Sequence, residues 1–169
     1  MADLPTLIAA LTSGDDERAE AAAAQLTGHG EAACIALQEL LHSEDVDVRW
    51  WAVRALAQLE MADKVTCNLV AALEDESSEV RQCAAMALCH HPDPQAIPAL
   101  TRTLSDPDAM AAKLAANALT LIGPAALPAL VETLQTGSPT AKLEAVRALA
   151  ALNHPPAIPA LIQALQQES

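Results

Sequence analysis

The segment "CHHPD" holds the densest group of side chains in this sequence that could do chemistry. It places Cys89, His90, His91 and Asp93 within five residues, and Cys83 stands about two turns earlier on the same predicted helix. Thiolate and imidazole groups together suit zinc. The spacing, however, matches no zinc finger or ribbon, and adjacent positions on a helix point apart. We therefore predict no metal site and no cofactor; the candidate ligands for a metal would be Cys89, His90, His91 and Asp93.

Catalytic motifs are also missing from the sequence. It has no Gly-rich phosphate loop, no Ser or Cys in a nucleophile motif and no sign of a paired carboxylate site. We therefore predict no catalytic residue and a protein that is not an enzyme.

The charge balance excludes two classes of partner. The chain has 22 acidic and nine basic residues, for a net charge of −13, whereas binding of DNA or RNA needs clustered Lys and Arg. An acidic surface also suits anionic lipid poorly. Gly123-Pro124 and Pro128 break the uncharged stretch at 114–131, so no membrane span is expected.

The amino terminus lacks the pattern of a secretory signal, and the four Cys are expected as free thiols in the cytoplasm.

Internal repeats must position these side chains. One series of leucines recurs every 30 to 32 residues, and a second series of leucines recurs at the same intervals. A Leu stands four residues before each member of the first series, and an Ala four residues before each member of the second. Because residues i and i+4 share a helix face, each repeat is predicted to be two amphipathic helices. The first series is Leu11, Leu41, Leu73, Leu104, Leu134 and Leu165, and the second is Leu26, Leu56, Leu88, Leu119 and Leu149.

Pro and capping residues predict where these helices begin and end. Asp106-Pro107 and Ser138-Pro139 each have the pattern of an N-cap followed by Pro at the first helical position. Gly123-Pro124 and the segment at 153–156 are expected to close one helix and open the next. A Pro also recurs two residues before a Leu, which predicts an early helical turn, at Pro5, Pro98, Pro128 and Pro159.

The repeat "DPDAMAAKLAANALTLIGPAALPALVETL", with its echoes along the chain, resembles HEAT repeats, in particular the short bacterial phycobilin-lyase HEAT-like kind. The resemblance implies an all-α fold, an α-solenoid forming a single domain over residues 1–169. An opening helix at 4–12 would be followed by about five helix pairs, at about 15–42, 45–74, 77–105, 108–135 and 138–167. It also implies that the Ala-rich helices form the convex outer layer and the Leu-rich helices the concave inner layer.

Such a solenoid without catalytic motifs indicates a protein–protein interaction scaffold or adaptor. Its concave face, represented by Glu39, Asn68 and Arg102, is one candidate binding surface. The turns that precede the Ala-rich helices are another, because they carry twelve of the 22 acids and would attract a basic partner. Capping of helix N-termini is the alternative role of these acids. The acids we single out for binding are Glu44, Asp45, Asp47, Glu74, Asp75 and Glu76.

Both tryptophans stand side by side in "VRWWAVRALAQL", in a chain without Phe or Tyr. Repeat-equivalent positions suggest that Trp51 packs against a neighbouring helix and that Trp50 lies on the outer face. Adjacent helical positions are about 100° apart, so the two rings are not both expected to be fully buried. Trp50 has two open interpretations: it covers the stems of Arg49 and Arg54 with cation–π contacts, or it anchors a partner or a second copy of the chain.

The resemblance leaves one alternative function, a phycobilin lyase-like subunit or a tetrapyrrole-handling chaperone. Deoxyhypusine hydroxylase, another family built from HEAT-like repeats, binds iron through His-Glu pairs. No His is followed by Glu in this sequence, so that activity is not expected.

Overall fold

The computed structural model describes residues 2–60 and 62–153, together with Pro155, Ile158 and Ile162. Three short 3-10 helices among the described residues lead into the α-helices that begin at Gly30, Ile97 and Leu127; they are Thr27–His29, Pro94–Ala96 and Gly123–Ala126. The prediction of an all-α fold is confirmed, with no strand among the described residues. Most of the second half of the last predicted pair, at about 138–167, lies outside them. The α-helices described are α1 (Leu4–Leu11), α2 (Asp16–Leu26), α3 (Gly30–Leu40), α4 (Val46–Leu56), α5 (Ala62–Ala72), α6 (Ser78–His90), α7 (Ile97–Thr103), α8 (Ala109–Ile122), α9 (Leu127–Thr136) and α10 (Pro139–Leu152).

Side-chain caps decide where the Ala-rich helices begin. The hydroxyl of Ser138 accepts the N–H of Ala141 at 3.2 Å, which confirms the cap predicted at the start of α10. The cap predicted at Asp106-Pro107 is wrong, because α8 starts two residues later and is capped by Asp108, which accepts the N–H of Ala111 at 2.8 Å. The Asp106 carboxylate instead accepts the N–H of Asp108 and forms the turn before the helix.

Pro and Gly mark the other boundaries as predicted. Pro5, Pro98 and Pro128 are each the second residue of a helix, where the missing N–H costs no hydrogen bond; Pro159 lies outside the described residues. Gly123 ends α8 with a φ of 85°, a conformation that residues with a Cβ rarely adopt. The turn at Gly123 divides an apolar stretch, Ala109–Thr136, that is otherwise long enough to cross a membrane. Both resulting helices pack against α10.

The two residue series form the core. Every Leu of the second series and the Ala four residues before it are buried, with exposures of 2% or less. The small Ala side chains let neighbouring Ala-rich helices approach closely, while the larger Leu side chains fill the space between the two helices of a pair. In the first series the described members are also buried, except for Leu41, which is half-buried.

The helices group into two compact units, Met1–His91 and Pro92–Ser169, which we call unit 1 and unit 2. In unit 1 the Ala-rich helices α2, α4 and α6 pack side by side in one layer, and the Leu-rich helices α1, α3 and α5 form the other. In unit 2, α8 packs beside α10 and α7 beside α9 in the same two-layer arrangement. The single domain over 1–169 stays a prediction.

One buried charge interrupts the core of unit 2. Glu144 on α10 is 5% exposed, and its Oε1 accepts a hydrogen bond from Nη1 of Arg147 at 2.6 Å. Its Oε2 is buried without a hydrogen-bond partner among the described residues. A buried carboxylate oxygen without a donor loses its hydration and gains little in return.

We therefore expect Glu144→Leu to raise the free energy of unfolding by about 1 kcal/mol, because it removes the buried carboxylate while the Arg147 side chain, 57% exposed, stays hydrated. Leu114 already fills the equivalent position of α8. Urea denaturation measures the change, and Glu132→Leu on the exposed side of α9 is the matched control with little expected effect. A clear loss of stability in Glu144→Leu would show that the carboxylate is needed there.

Candidate protein-binding site

An open cleft of about 1270 Å³ lies between α2 and α4 in unit 1. The turns that lead into the two helices form one end of the cleft, through Gly14 and Asp45, and the outer faces of the helices form its walls. Both helices are positioned by their caps, since Asp15 accepts the N–H of Arg18 and Asp45 accepts that of Asp47. The cleft is therefore built from adjacent, independently capped helices.

The lining of the cleft is strongly acidic. It contains one basic side chain, Arg54, and five acidic ones, Asp16, Glu17, Glu20, Asp45 and Asp47. All five acids are on exposed residues. The clustered carboxylates create a negative potential, which the low-dielectric walls of the cleft concentrate. This surface therefore attracts cations.

The two tryptophans form a corner beside these charges. Their ring centroids lie 5.0 Å apart with an interplanar angle of 89°, an edge-to-face pair. Trp51 is 9% exposed and belongs to the core, whereas Trp50 is half-buried and lines the cleft with part of its ring open. The predicted difference in burial between the two rings is thus confirmed.

Arg54 connects the aromatic corner to α2. Its guanidinium carbon lies 5.6 Å from the centroid of the Trp50 ring, so the predicted cation–π contact is present. The same guanidinium donates from Nε and from Nη2 to the two carboxylate oxygens of Glu20, at 2.7 and 3.0 Å. Both members of this ion pair are nearly half exposed, with side-chain exposures of 43% and 48%.

A second arginine holds the acidic turns together. Arg49 donates from Nε and Nη2 to the carboxylate of Asp75 at 2.8 and 3.0 Å, and from Nη1 to the carbonyls of Ser43 and Glu44. Its guanidinium therefore forms hydrogen bonds with the turns, whereas the cation–π contact with Trp50 comes from Arg54. Burial raises the pKa of Asp75, but the hydrogen bonds from Arg49 and from the N–H of Ser77 outweigh it and hold the pKa below its usual value.

Arg81 repeats this arrangement one helix pair later. Its Nη1 donates to the carbonyls of Asp75 and Glu76 at 2.9 and 3.0 Å. The contacts of Arg49 place the turns at 43–47 and 74–79 next to each other, and residues of the turns at 13–17 and 43–47 line the same cleft. We call these three turns the acidic edge.

Most of the predicted binding acids are exposed on the acidic edge. Asp75 is the exception, because it is half-buried in its ion pair with Arg49. Asp45 serves as a helix cap, so the capping role also applies to part of the set. The exposed acids are Glu44, Asp45, Asp47, Glu74 and Glu76.

The candidates on the Leu-rich helices have mixed outcomes. Glu39 and Arg102 are exposed, as predicted. The outward orientation predicted for Asn68 is wrong: the residue is 8% exposed, and its amide donates to the carbonyl of Lys64 at 3.1 Å. That amide also contacts Sγ of Cys34 at 3.7 Å, so Asn68 faces the neighbouring helix and satisfies its polar groups internally.

The predicted metal candidates do not converge. His90 is exposed at the end of α6, while His91 turns inward and its Nε2 lies 2.6 Å from the carbonyl of Ala57. Burial raises the pKa of the Cys89 thiol and raises that of Cys83 to about 11, which favours the neutral thiol over a metal-binding thiolate. Asp93 accepts the N–H of Gln95 in the next turn. Among the described residues no group of three or more His, Cys, Asp or Glu could hold a metal ion.

Sequence reasoning missed Glu20, Arg54 and the cleft between them as a unit. The two residues are 34 positions apart, which is one repeat plus one helical turn. Other contacts join residues with nearly the same separation, including Lys64 with Glu31 and His91 with Ala57. Opposite charges separated by 33 or 34 residues, as in Glu20 with Arg54 and Glu31 with Lys64, were therefore the signal available in the sequence.

Comparison with known proteins agrees with this architecture. The family model of HEAT repeats matches residues 4–67, 66–138 and 104–169. None of the curated proteins matches the chain in sequence. An engineered protein of known structure is similar to the chain with 30% identity and a TM-score of 0.60, over 99% of this chain and 87% of the other.

Two further solved structures share the fold at lower identity. The complex of CpcE and CpcF of phycocyanin lyase, from a Nostoc species, aligns with 22% identity and a TM-score of 0.63 over 85% of this chain and 96% of the other. A designed armadillo repeat protein in complex with the peptide (KR)4 aligns with 23% identity and a TM-score of 0.54, over 96% and 88% of the two chains. Three overlapping family matches cover the repeats that the helices display, and this chain belongs to the family of HEAT repeat proteins.

Proposed function

We propose that this protein is a non-catalytic scaffold or adaptor that binds a basic surface of another protein through the acidic edge and the cleft of unit 1. The observation that carries the proposal is the lining of the cleft, where five carboxylates and one guanidinium surround a half-exposed tryptophan. An aromatic side chain among charged groups is a composition typical of energetically important interface positions.

The distribution of charge supports this choice of surface. Residues 1–91 contain 16 acids and five Lys or Arg, whereas residues 92–169 contain six and four. Capping accounts for Asp15 and Asp45, and ion pairing accounts for Asp75. Glu17 and Asp47 lie in the first turns of their helices, where the helix dipole favours acids. Both also line the same cleft, which supports an electrostatic role in partner binding.

The fold relatives are compatible with such a role. The designed armadillo repeat protein was solved with a basic peptide, and CpcE was solved in complex with CpcF. A cytoplasmic location is part of our proposal, because all four cysteines are free thiols, which suits a reducing compartment. We do not propose nucleic acid or membrane partners, since the net charge of −13 opposes both.

Charge reversal on the acidic edge tests this function. We expect Glu44→Lys and Glu76→Lys each to weaken binding of a basic partner by about threefold to tenfold, and 0.5 M salt to weaken wild-type binding similarly, because surface attraction is screened. Both side chains are exposed at repeat-equivalent positions, so little effect on folding is expected. The measurement is titration of a partner recovered by affinity purification from the native cell.

Glu132→Lys is the matched control, because it changes the net charge by the same amount on the exposed side of α9 in unit 2. We expect it to leave affinity within about twofold of the wild type. Equal losses of affinity in all three variants would mean that only the net charge matters. Unchanged affinity at high salt would show that the acidic edge is not part of the interface.

A phycobilin lyase-like subunit is the second candidate, because the CpcE–CpcF complex has the same fold over 85% of this chain. A protein of this class should retain an open-chain tetrapyrrole and show a visible absorbance band after gel filtration with it. An adaptor should elute without the pigment.

A further inference from the structure

Building on the proposed function, we propose that the cleft between α2 and α4 binds an arginine side chain of a basic peptide segment in the partner. We further propose that Arg54 occupies this guanidinium site in the free protein and competes with the ligand. The partner segment would therefore replace an internal guanidinium with its own.

The geometry of Arg54 shows which chemistry the cleft accommodates. One guanidinium lies over the Trp50 ring at 5.6 Å and meets both oxygens of Glu20 at 2.7 and 3.0 Å. An aromatic face beside a carboxylate that binds in a bidentate manner suits a planar guanidinium better than the compact ammonium of Lys. The ligand preference of the site is thus visible in an interaction within the protein.

The ion pair is also placed so that a ligand can exchange with it. Arg54 and Glu20 retain side-chain exposures of 43% and 48%, unlike the Arg49–Asp75 pair at 12% and 11%. Exposed ion pairs contribute little to stability and form and break readily. Arg54 can therefore leave Trp50 without disrupting the core.

The cleft is larger and more acidic than one side chain requires. Its volume of about 1270 Å³ exceeds that of a usual small-molecule site, which is about 300–1000 Å³, so it has room for several residues of an extended chain. Asp16, Glu17 and Asp47 line the cleft in addition to Glu20. These acids would attract the neighbouring basic residues of the same segment, which is why we commit to a basic peptide as the occupant.

The protein carries its own reporter for this binding. Trp50 and Trp51 are the two tryptophans of a chain without tyrosine, so its intrinsic fluorescence arises at the site itself. The probes are three peptides without tryptophan, each of four repeated dipeptide units: Arg-Gly, Lys-Gly and Glu-Gly. We expect the Arg-Gly peptide to change the fluorescence saturably below about 1 mM and to bind at least about threefold tighter than the Lys-Gly peptide. The Glu-Gly peptide should give no saturable change.

Removal of the internal competitor gives the sharpest test. We expect Arg54→Ala to bind the Arg-Gly peptide at least about threefold tighter than wild type, because Trp50 and Glu20 become free. Lys113→Ala is the matched control: it lies on the exposed side of α8 in unit 2, loses the same charge and leaves the cleft intact, so its affinity should stay within about twofold of wild type. Glu20→Gln should weaken binding by about fivefold, and thermal melting should confirm that each variant is folded.

The outcomes separate this inference from the proposed function. Equal affinities in Arg54→Ala and Lys113→Ala, or equal affinities for the Arg-Gly and Lys-Gly peptides, would overturn the guanidinium site. If Glu44→Lys then still weakened peptide binding, the acidic edge would remain a binding surface without this site. If neither salt nor any of the charge substitutions changed peptide binding, both the guanidinium site and the proposed function would be overturned.

Discussion

Trp51→Ala is expected to lower the free energy of unfolding by about 3–5 kcal/mol, the largest effect of any single substitution proposed for this chain. Trp51 is 9% exposed on α4, which packs against α2 and α6, and its ring meets that of Trp50 edge to face at 5.0 Å. Truncation to Ala removes this buried area and leaves a void that the stiff helix pair fills incompletely. Ala52, Val53, Ala55 and Leu56 of the same helix are also fully buried.

Trp50→Ala is the matched comparison, one position away on the same helix. It removes the contact with Trp51 and the cation–π contact with Arg54, and we expect a cost of only about 1 kcal/mol, because the ring is already partly open to solvent. Urea denaturation followed by far-UV circular dichroism measures both variants. Equal losses in the two variants would mean that Trp50 belongs to the packing and is not available to a partner.

Asp75→Ala is expected to cost about 2–3 kcal/mol, the second-largest effect. The pair is well shielded, with side-chain exposures of 12% for Arg49 and 11% for Asp75, so removal of the carboxylate leaves a largely buried guanidinium without its partner. The variant also loses the acceptor for the N–H of Ser77 at the start of α6. Arg49→Met with Asp75→Ala should recover part of the loss, because both charges are then absent.

The pH dependence of stability checks the same pair. The pKa of Asp75 is lower in the folded protein than its ordinary value of 3.8, because its hydrogen bonds with Arg49 and Ser77 outweigh the effect of burial. The ionised carboxylate therefore stabilises the fold fully at pH well above 3.8, and this contribution is lost as the pH falls through the folded pKa. Stability of wild type and Asp75→Ala, measured from pH 7 to pH 2.5, should converge at the acid end. A constant difference across this range would show that ionisation of Asp75 does not matter to stability.

The sequence by itself determined the fold through periodicity. Leucines and alanines spaced by 30 to 32 residues specify helix pairs, and the same spacing predicted the burial of Leu56 and Leu119. Pro at the second helical residue marked the starts of α1, α7 and α9, and Gly123 marked the end of α8, because their backbone restrictions are local and need no tertiary partner. The adjacent positions of Trp50 and Trp51 were also enough to predict their unequal burial, since helix geometry alone separates them.

Local patterns were insufficient where a side chain had more than one available partner. The predicted cap at Asp106-Pro107 was wrong because Asp108 competes for the same role. The predicted outward orientation of Asn68 was wrong because its amide can form hydrogen bonds within the protein. Asp75 resembles the other acids of the acidic edge in sequence, yet its carboxylate is half-buried against Arg49.

Only the tertiary structure decided which charges meet. Glu20 and Arg54 lie 34 residues apart, and their contact depends on how far α2 and α4 are offset, which the repeat length constrains only to within a turn. That offset produces the cleft and leaves part of the Trp50 ring open. It also decides that Arg54, and not Arg49, is the cationic neighbour of this ring. Periodicity specifies which helix faces pack together, because burial of apolar area drives that choice. The pairing of exposed charges depends on distances of a few ångströms between neighbouring helices, and those distances are set by the packed core.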